Sequence, residues 1–220
     1  MVTNSFDISN FLAGCLVLLS FLQLYQNRLP PIINIFAGQS FVLAVFVAWQ
    51  AHVQDAPHLL ITAFIALGFK AVIIPVALHW LIRHLGIHRS VETVVGTGLS
   101  MMAGMLLVGL AVALMMRTAV SADLIVREDM AFALSVVLLG LLMMVTRRNA
   151  VSQVIGFMSI ENGLVLAGTG ANGMPFVVEI SVAFSVLVAF IIFGIFLFRI
   201  RERFDTVDSA VIDRFRGDRR

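Results

Sequence analysis

Leu59–Ile82 reads LLITAFIALGFKAVIIPVALHWLI, and this apolar stretch of 24 residues decides the fold. Its one Lys, Arg, Asp or Glu residue is Lys70, the twelfth position. About 20 apolar residues are enough for a helix to cross the hydrocarbon core of a bilayer. The stretch therefore predicts a membrane-spanning helix with a lysine near the bilayer midplane.

The rest of the chain repeats this apolar pattern. Of its 220 residues 60% are hydrophobic and 13% are charged, whereas an ordinary soluble domain has about a quarter charged residues. The runs are continuous rather than alternating, so helices are expected instead of barrel strands. We predict an all-α polytopic membrane helix bundle of about seven transmembrane helices. The other six runs are Phe11–Tyr25, Ile32–Ala51, Thr93–Met116, Met130–Thr146, Val151–Thr169 and Phe176–Phe198.

Basic residues are shared unevenly between the two sets of loops. The loops after the first, third and fifth helices, together with the C-terminal tail, hold 12 arginines, whereas the N-terminus and the remaining loops hold only Arg117 and Arg127. The positive-inside rule then predicts an N-terminus outside and a C-terminus in the cytoplasm. The formal net charge of +2 lies mostly in the tail, which indicates membrane orientation rather than nucleic-acid binding.

The order of the runs suggests a division of the chain into segments. We expect an N-terminal three-helix segment at 1–90, a connecting helix at 91–125, a C-terminal three-helix segment at 126–199 and a cytoplasmic amphipathic tail at 200–220. A short similarity between Phe36–Ala44 and Ser159–Ala167 leaves a duplicated three-helix unit open as the origin of this order.

Lys70 is the first candidate functional residue. A charge at the bilayer centre costs from about 3 kcal/mol to more than about 10 kcal/mol, depending on the reference. A lysine held away from water can exchange its proton near neutral pH. Pro75 leaves the carbonyl of Ala71 without a helix donor, and the imidazole of His79 is a proton carrier near pH 7. This combination predicts a proton-transfer segment, or else a lysine paired with a carboxylate on another subunit beside an interfacial histidine.

Two glutamates are further candidates. Glu161 lies in the middle of the sixth run, with no charged residue three or four positions away on its own helix. It predicts proton transfer, or else a protonated side chain that only donates a hydrogen bond. Gly156 and Gly163 on the same run permit close helix approach. Glu179 begins the seventh run, where either proton transfer or an ordinary interfacial charge is expected.

Three segments carry a resemblance to a known family. They are GFMSIENG at 156–163, GMPFVVEI at 173–180 and FRIRERFD at 198–205, and they resemble the hydrogenase-4 component E family, which comprises membrane subunits of formate hydrogenlyase-type group 4 hydrogenases. The segment with Lys70 and His79 fits as well. The C-terminal part is also similar to the K subunit of respiratory complex I, with an Arg-Arg pair upstream; Met158 stands at that subunit's glutamate position, and Glu161 follows three residues later.

The resemblance implies a non-catalytic subunit of a complex I-like oxidoreductase complex in the bacterial or archaeal plasma (inner) membrane. Its buried ionisable residues Lys70, His79, Glu161 and Glu179 would take part in proton translocation driven by redox chemistry elsewhere. The implied partners are antiporter-like and other membrane-arm subunits, lipids and, indirectly, a peripheral nickel–iron hydrogenase arm. The resemblance implies no catalytic residue, metal or cofactor on this chain. Two alternatives stay open: a purely structural scaffold linking antiporter-like subunits, and a stand-alone small-ion transporter.

Overall fold

The computed structural model describes residues 2–85, 93–118 and 124–170, and these residues form a bundle of helices. The helices are α1 (Val2–Tyr25), α2 (Leu29–Val53), α3 (His58–Ile65), α4 (Ile74–Leu85), α5 (Thr97–Thr118), α6 (Leu124–Thr146) and α7 (Ala150–Gly170). A π-helical segment, Ala66–Ile73, joins α3 to α4 and is called the π segment below. The all-α prediction is confirmed.

Six helices of the described residues are long and apolar enough to cross a membrane. They are Asp7–Tyr25, Leu29–Val53, His58–Arg83, Thr97–Arg117, Glu128–Thr146 and Ala150–Thr169. The third is α3, the π segment and most of α4 in one continuous span. These six correspond to the first six predicted runs. The seventh predicted helix, Phe176–Phe198, and the tail at 200–220 lie outside the described residues, and the orientation of the termini stays a prediction.

The outer surface of the bundle is apolar. Phe11, Phe64, Leu106 and Val145 are each more than 70% exposed. So many large hydrophobic side chains in water would mark an aggregating surface, whereas hydrocarbon solvates them well. The exposed faces and the span lengths together describe a multi-pass membrane protein.

Helices α6 and α7 approach each other closely through glycines. A Cβ atom on Gly140 would lie 2.8 Å from the carbonyl oxygen of Gly156, and one on Gly163 would lie 3.0 Å from the carbonyl oxygen of Ala133. Real Cβ atoms are almost never this near to backbone. The prediction that Gly156 and Gly163 permit close helix approach is therefore confirmed, and the partner is α6.

Pro75 accounts for the end of the π segment. The N–H of Ile74 donates to the carbonyl of Phe69, five residues earlier. The next bond in this register would need an N–H on Pro75, which proline lacks. The sequence predicted a helix defect at this proline with the carbonyl of Ala71 left open; in the π register the missing donor falls opposite the carbonyl of Lys70 instead.

The π segment also determines which side of the third span faces the bundle. Ala66, Lys70, Ile74 and Leu78 are each 4% exposed or less, and they are spaced by four. In a regular α-helix, positions four apart drift by about 40° per step, so this row would leave the buried face. A π-helix places more residues in each turn and opposes the drift, which keeps Lys70 directed into the protein.

Candidate functional site

Lys70 and Glu161 form a buried ion pair. Lys70 Nζ lies 2.9 Å from Glu161 Oε1, and each side chain is 3% exposed. Lys70 is the thirteenth of the 26 residues in its span, and Glu161 is the twelfth of the 20 residues in the span Ala150–Thr169. Both charges therefore lie near the middle of the bundle, and the structure brings together two residues that the sequence marked separately.

This pairing changes the interpretation of Lys70. One sequence-based alternative placed its carboxylate partner on another subunit, and the structure supplies that partner from α7 of the same chain. A buried ion pair recovers its desolvation cost only when further hydrogen bonds satisfy the remaining polar atoms. The surroundings of the pair are accordingly polar.

Asn162 is the next residue outward from the pair. Its Oδ1 accepts a hydrogen bond from Lys70 Nζ at 3.1 Å. Its Nδ2 donates to Gln39 Oε1 and to Ser40 Oγ on α2, each at 3.4 Å. Because the amide hydrogens are directed at α2, the carbonyl oxygen of Asn162 is turned toward the ammonium group.

Gln39 is the centre of the polar contacts between α2, α1 and α7. Its Oε1 accepts from Gln23 Nε2 at 2.8 Å and from Ser159 Oγ at 2.7 Å, in addition to Asn162. Its Nε2 donates to Ser20 Oγ at 2.7 Å. We call the connected buried side chains the polar network; its members besides Lys70 and Glu161 are Ser20, Gln23, Gln39, Ser40, Ser159 and Asn162, all less than 5% exposed.

One chain of hydrogen bonds in the polar network leads away from Lys70. Lys70 donates to Asn162, and Asn162 donates to Gln39. Gln39 donates to Ser20, whose Oγ donates to the carbonyl oxygen of Leu16 at 2.9 Å. Along this chain each dipole turns its negative end toward the ammonium group, and hydrogen bonds in such a chain polarise one another cooperatively. The network stabilises a positive charge on Lys70.

The chemistry available to the polar network follows from its residue types. Amide side chains accept and donate hydrogen bonds but do not titrate, and serine hydroxyls stay neutral. Lys70 and Glu161 are the titratable members. Within the polar network only Lys70 and Glu161 could therefore change protonation, while the amides and hydroxyls orient and solvate the pair.

The other two predicted site residues are placed differently. His79 lies on α4, where its Nδ1 is 2.9 Å from the carbonyl oxygen of Pro75 on the same helix. Its ring is half-buried, and its hydrogen bond is local rather than part of the polar network. Glu179 lies outside the described residues.

The six neutral members of the polar network were not recognised in the sequence as site residues: Ser20, Gln23, Gln39, Ser40, Ser159 and Asn162. A signal existed for four of them, because Ser20 with Gln23 and Ser159 with Asn162 are polar pairs three residues apart inside apolar runs. Positions three apart share a helix face. Such pairs on several spans indicate helix faces that meet each other rather than lipid.

Arg147 is a second buried cation, at the junction of α6 and α7. It is 2% exposed; its Nη1 donates to Asn27 Oδ1 at 3.1 Å, and its Nη2 donates to the carbonyl oxygen of Leu24. Burial lowers the pKa of the guanidinium, whose ordinary value is so high that it stays charged. The sequence analysis placed Arg147 among the loop arginines. In the structure its guanidinium binds the C-terminal end of α1.

Comparisons with known proteins cover nearly the whole chain. The uncharacterized protein Rv0085 of Mycobacterium tuberculosis is 32% identical over 208 residues, which are 90% of this chain and 91% of the relative. Hydrogenase-4 component E of Escherichia coli is 26% identical over 218 residues, 98% of this chain and all of the relative, and the protein of the same name from Shigella flexneri gives the same values. No protein-family model matches, and no solved structure is significantly similar.

Proposed function

This chain belongs to the same family as the mycobacterial protein Rv0085, and from its full-length similarity to hydrogenase-4 component E we propose that it is an integral membrane subunit of a hydrogenase complex. Six membrane-length helices support a role within a membrane arm. We further propose that its neighbours are antiporter-like and other membrane-arm subunits in a bacterial or archaeal plasma membrane. A peripheral nickel–iron arm would then be an indirect partner.

Within that complex we propose that the Lys70–Glu161 pair takes part in proton translocation coupled to redox chemistry elsewhere. The observation that carries the proposal is the ion pair itself: two titratable groups 2.9 Å apart, each 3% exposed, in the middle of two membrane spans. A carboxylate at such a position changes protonation when a neighbouring charge moves, because the low dielectric magnifies every nearby field. His79 and Glu179 stay proposed as further members of the path.

Glu161 is the proposed proton-binding member of the pair. When Glu161 takes up a proton, the ammonium of Lys70 keeps the carbonyl oxygen of Asn162 and the aligned dipoles behind it. The same dipoles do not stabilise the carboxylate of Glu161, because dipoles that favour a cation do not favour an anion. Protonation of Glu161 therefore leaves a state in which the remaining charge is still solvated by the protein.

A structural scaffold is the second candidate, and one observation favours it. Lys70 and Glu161 compensate each other within the chain, so the pair needs neither a mobile ion nor a neighbouring subunit to be stable. In this role the pair would fix how the third span packs on α7. Removal of one charge would then reduce assembly of the complex, and proton pumping would fall only in proportion.

The experiment that separates the two candidates uses Glu161→Gln in the full complex, purified and reconstituted in vesicles. The rate of proton uptake and the amount of assembled complex are measured together. We expect normal assembly, because the amide oxygen of the substituted side chain can still accept a hydrogen bond from Lys70. We expect proton uptake to fall about 10²-fold, the lower end of what one positioned acid–base group contributes.

The matched control is Glu128→Gln, which removes an exposed carboxylate on α6 and should leave both measurements unchanged. A fully assembled Glu161→Gln complex that pumps normally would rule out the proton-transfer role. A loss of assembly equal to the loss of pumping would support the scaffold instead.

A further inference from the structure

Asp129 is a buried acid that the proposed mechanism does not use. It is the sixth residue of α6 and is 2% exposed. Its Oδ1 is fully buried and makes no hydrogen bond to any of the described residues. The sequence analysis did not single it out, because the residue stands just before the predicted run that begins at Met130.

Asp129 is separate from the Lys70–Glu161 pair. Gly163 of α7 packs against Val137 of α6, so Glu161 lies near the level of Val137. Asp129 is eight residues before Val137, which is roughly 12 Å along the axis of α6. The acid therefore lies toward the end of the bundle where α6 begins, well away from the midplane pair.

At the end of the bundle where α6 begins, the other described charged groups are exposed. Glu128 is next to Asp129 on α6, is exposed, and accepts a hydrogen bond from Asn10 of α1. Asp7 on α1 and Arg117 on α5 are exposed. Between Glu161 and Gly170, α7 has no ionisable residue. The side chains of residues 121–127 lie outside the described part of the chain, and within it Asp129 forms no ion pair.

A carboxylate in this position has two ways to avoid the cost of an unpaired buried charge: it binds a cation or it binds a proton. A metal ion needs several convergent ligands, and no group of three or more His, Cys, Asp or Glu side chains is found within the described residues. We infer that Asp129 takes up a proton under mildly acidic conditions in which an exposed aspartate stays ionised, and that it forms a second protonation site of the chain.

Infrared spectroscopy of the full chain in its complex tests this inference. A protonated carboxyl group has a carbonyl stretch that a carboxylate lacks. The difference spectrum between wild type and Asp129→Asn at about pH 5, where an exposed aspartate is ionised, should show the loss of one such band. The matched control Asp7→Asn removes an exposed acid and should leave the band in place. A spectrum in which Asp129→Asn removes a carboxylate band instead would overturn the inference.

Carbodiimide labelling of the wild-type complex provides a measurement that needs no variant. Dicyclohexylcarbodiimide is apolar and adds to protonated carboxyl groups, so mass spectrometry of peptides should find it on Asp129 and not on Glu128. A water-soluble carbodiimide should give the reverse pattern. Absence of the infrared band together with absence of the apolar label would reject the second site. The inference stands independently of the proposed function, since a normally pumping Glu161→Gln complex would leave both results for Asp129 unchanged.

Discussion

Helix α7 packs against its neighbours in two contrasting ways. Toward α6 it presents Gly156 and Gly163, and the two backbones come almost into contact. Toward α1, α2 and the third span it presents Ser159, Glu161 and Asn162, which enter the polar network. The first interface depends on the absence of side chains, and the second depends on their chemistry. One helix thus combines a rigid packing face with a face that holds charge.

The difference has an energetic reason. In hydrocarbon, helices gain little from burying apolar groups, so close packing and polar contacts provide the association. The glycine face supplies dense van der Waals contact that is independent of protonation. The polar face is stable only while its charges and hydrogen bonds are balanced. In the proposed proton transfer, the glycine interface would hold α7 in place during a change of protonation at the polar interface.

The largest effect on stability is expected from removing the Lys70 cation while Glu161 is kept. Lys70→Met leaves Glu161 buried without its cation and should lower the free energy of unfolding by about 3–5 kcal/mol. Unfolding in mixed micelles measures this. The double variant Lys70→Met with Glu161→Met removes both charges and should recover most of the loss, because a buried pair is often replaceable by apolar residues. Equal destabilisation of the single and double variants would contradict the pair as the source of the effect.

A methyl group on the glycine face should have the next largest effect. Gly140→Ala places a Cβ 2.8 Å from the carbonyl oxygen of Gly156, and we expect a loss of about 1–3 kcal/mol from overpacking. The matched control is Gly109→Ala on α5, where a Cβ meets nothing within 4 Å among the described residues. That control should gain up to about 1 kcal/mol. If both variants behave alike in the same unfolding assay, the close approach of α6 and α7 is not a source of stability.

The smallest effect is expected from removing a single hydroxyl of the polar face. Ser159→Ala deletes the donor to Gln39 Oε1, which still accepts from Gln23. Interhelical hydrogen bonds in membranes contribute on average about 0.6 kcal/mol, so a loss of that order is expected. Ser135→Ala is the control, because Ser135 donates to Ala131 on its own helix. A loss of several kcal/mol from Ser159→Ala would mean that the network acts as one cooperative unit rather than as separate bonds.

Sequence reasoning found the charged members of the site and missed the neutral ones. Lys70 and Glu161 stand out because a charge inside an apolar run is costly and therefore rare. Gln39 does not stand out, since an amide is tolerated more easily and its importance depends on how many donors it meets. The proposed domain boundaries and the similarity of the C-terminal helices to the K subunit of complex I stay predictions.

By itself the sequence determined the first six helices and their approximate bounds, because span length and apolar content are local properties that decide whether a segment can cross a bilayer. It also determined which residues would be costly to bury. Only the tertiary structure decided that Lys70 meets Glu161, a residue 91 positions away, and that a π segment turns the lysine inward. The physical reason is that contacts between helices depend on the rotation and spacing of whole spans, which no single stretch of sequence contains.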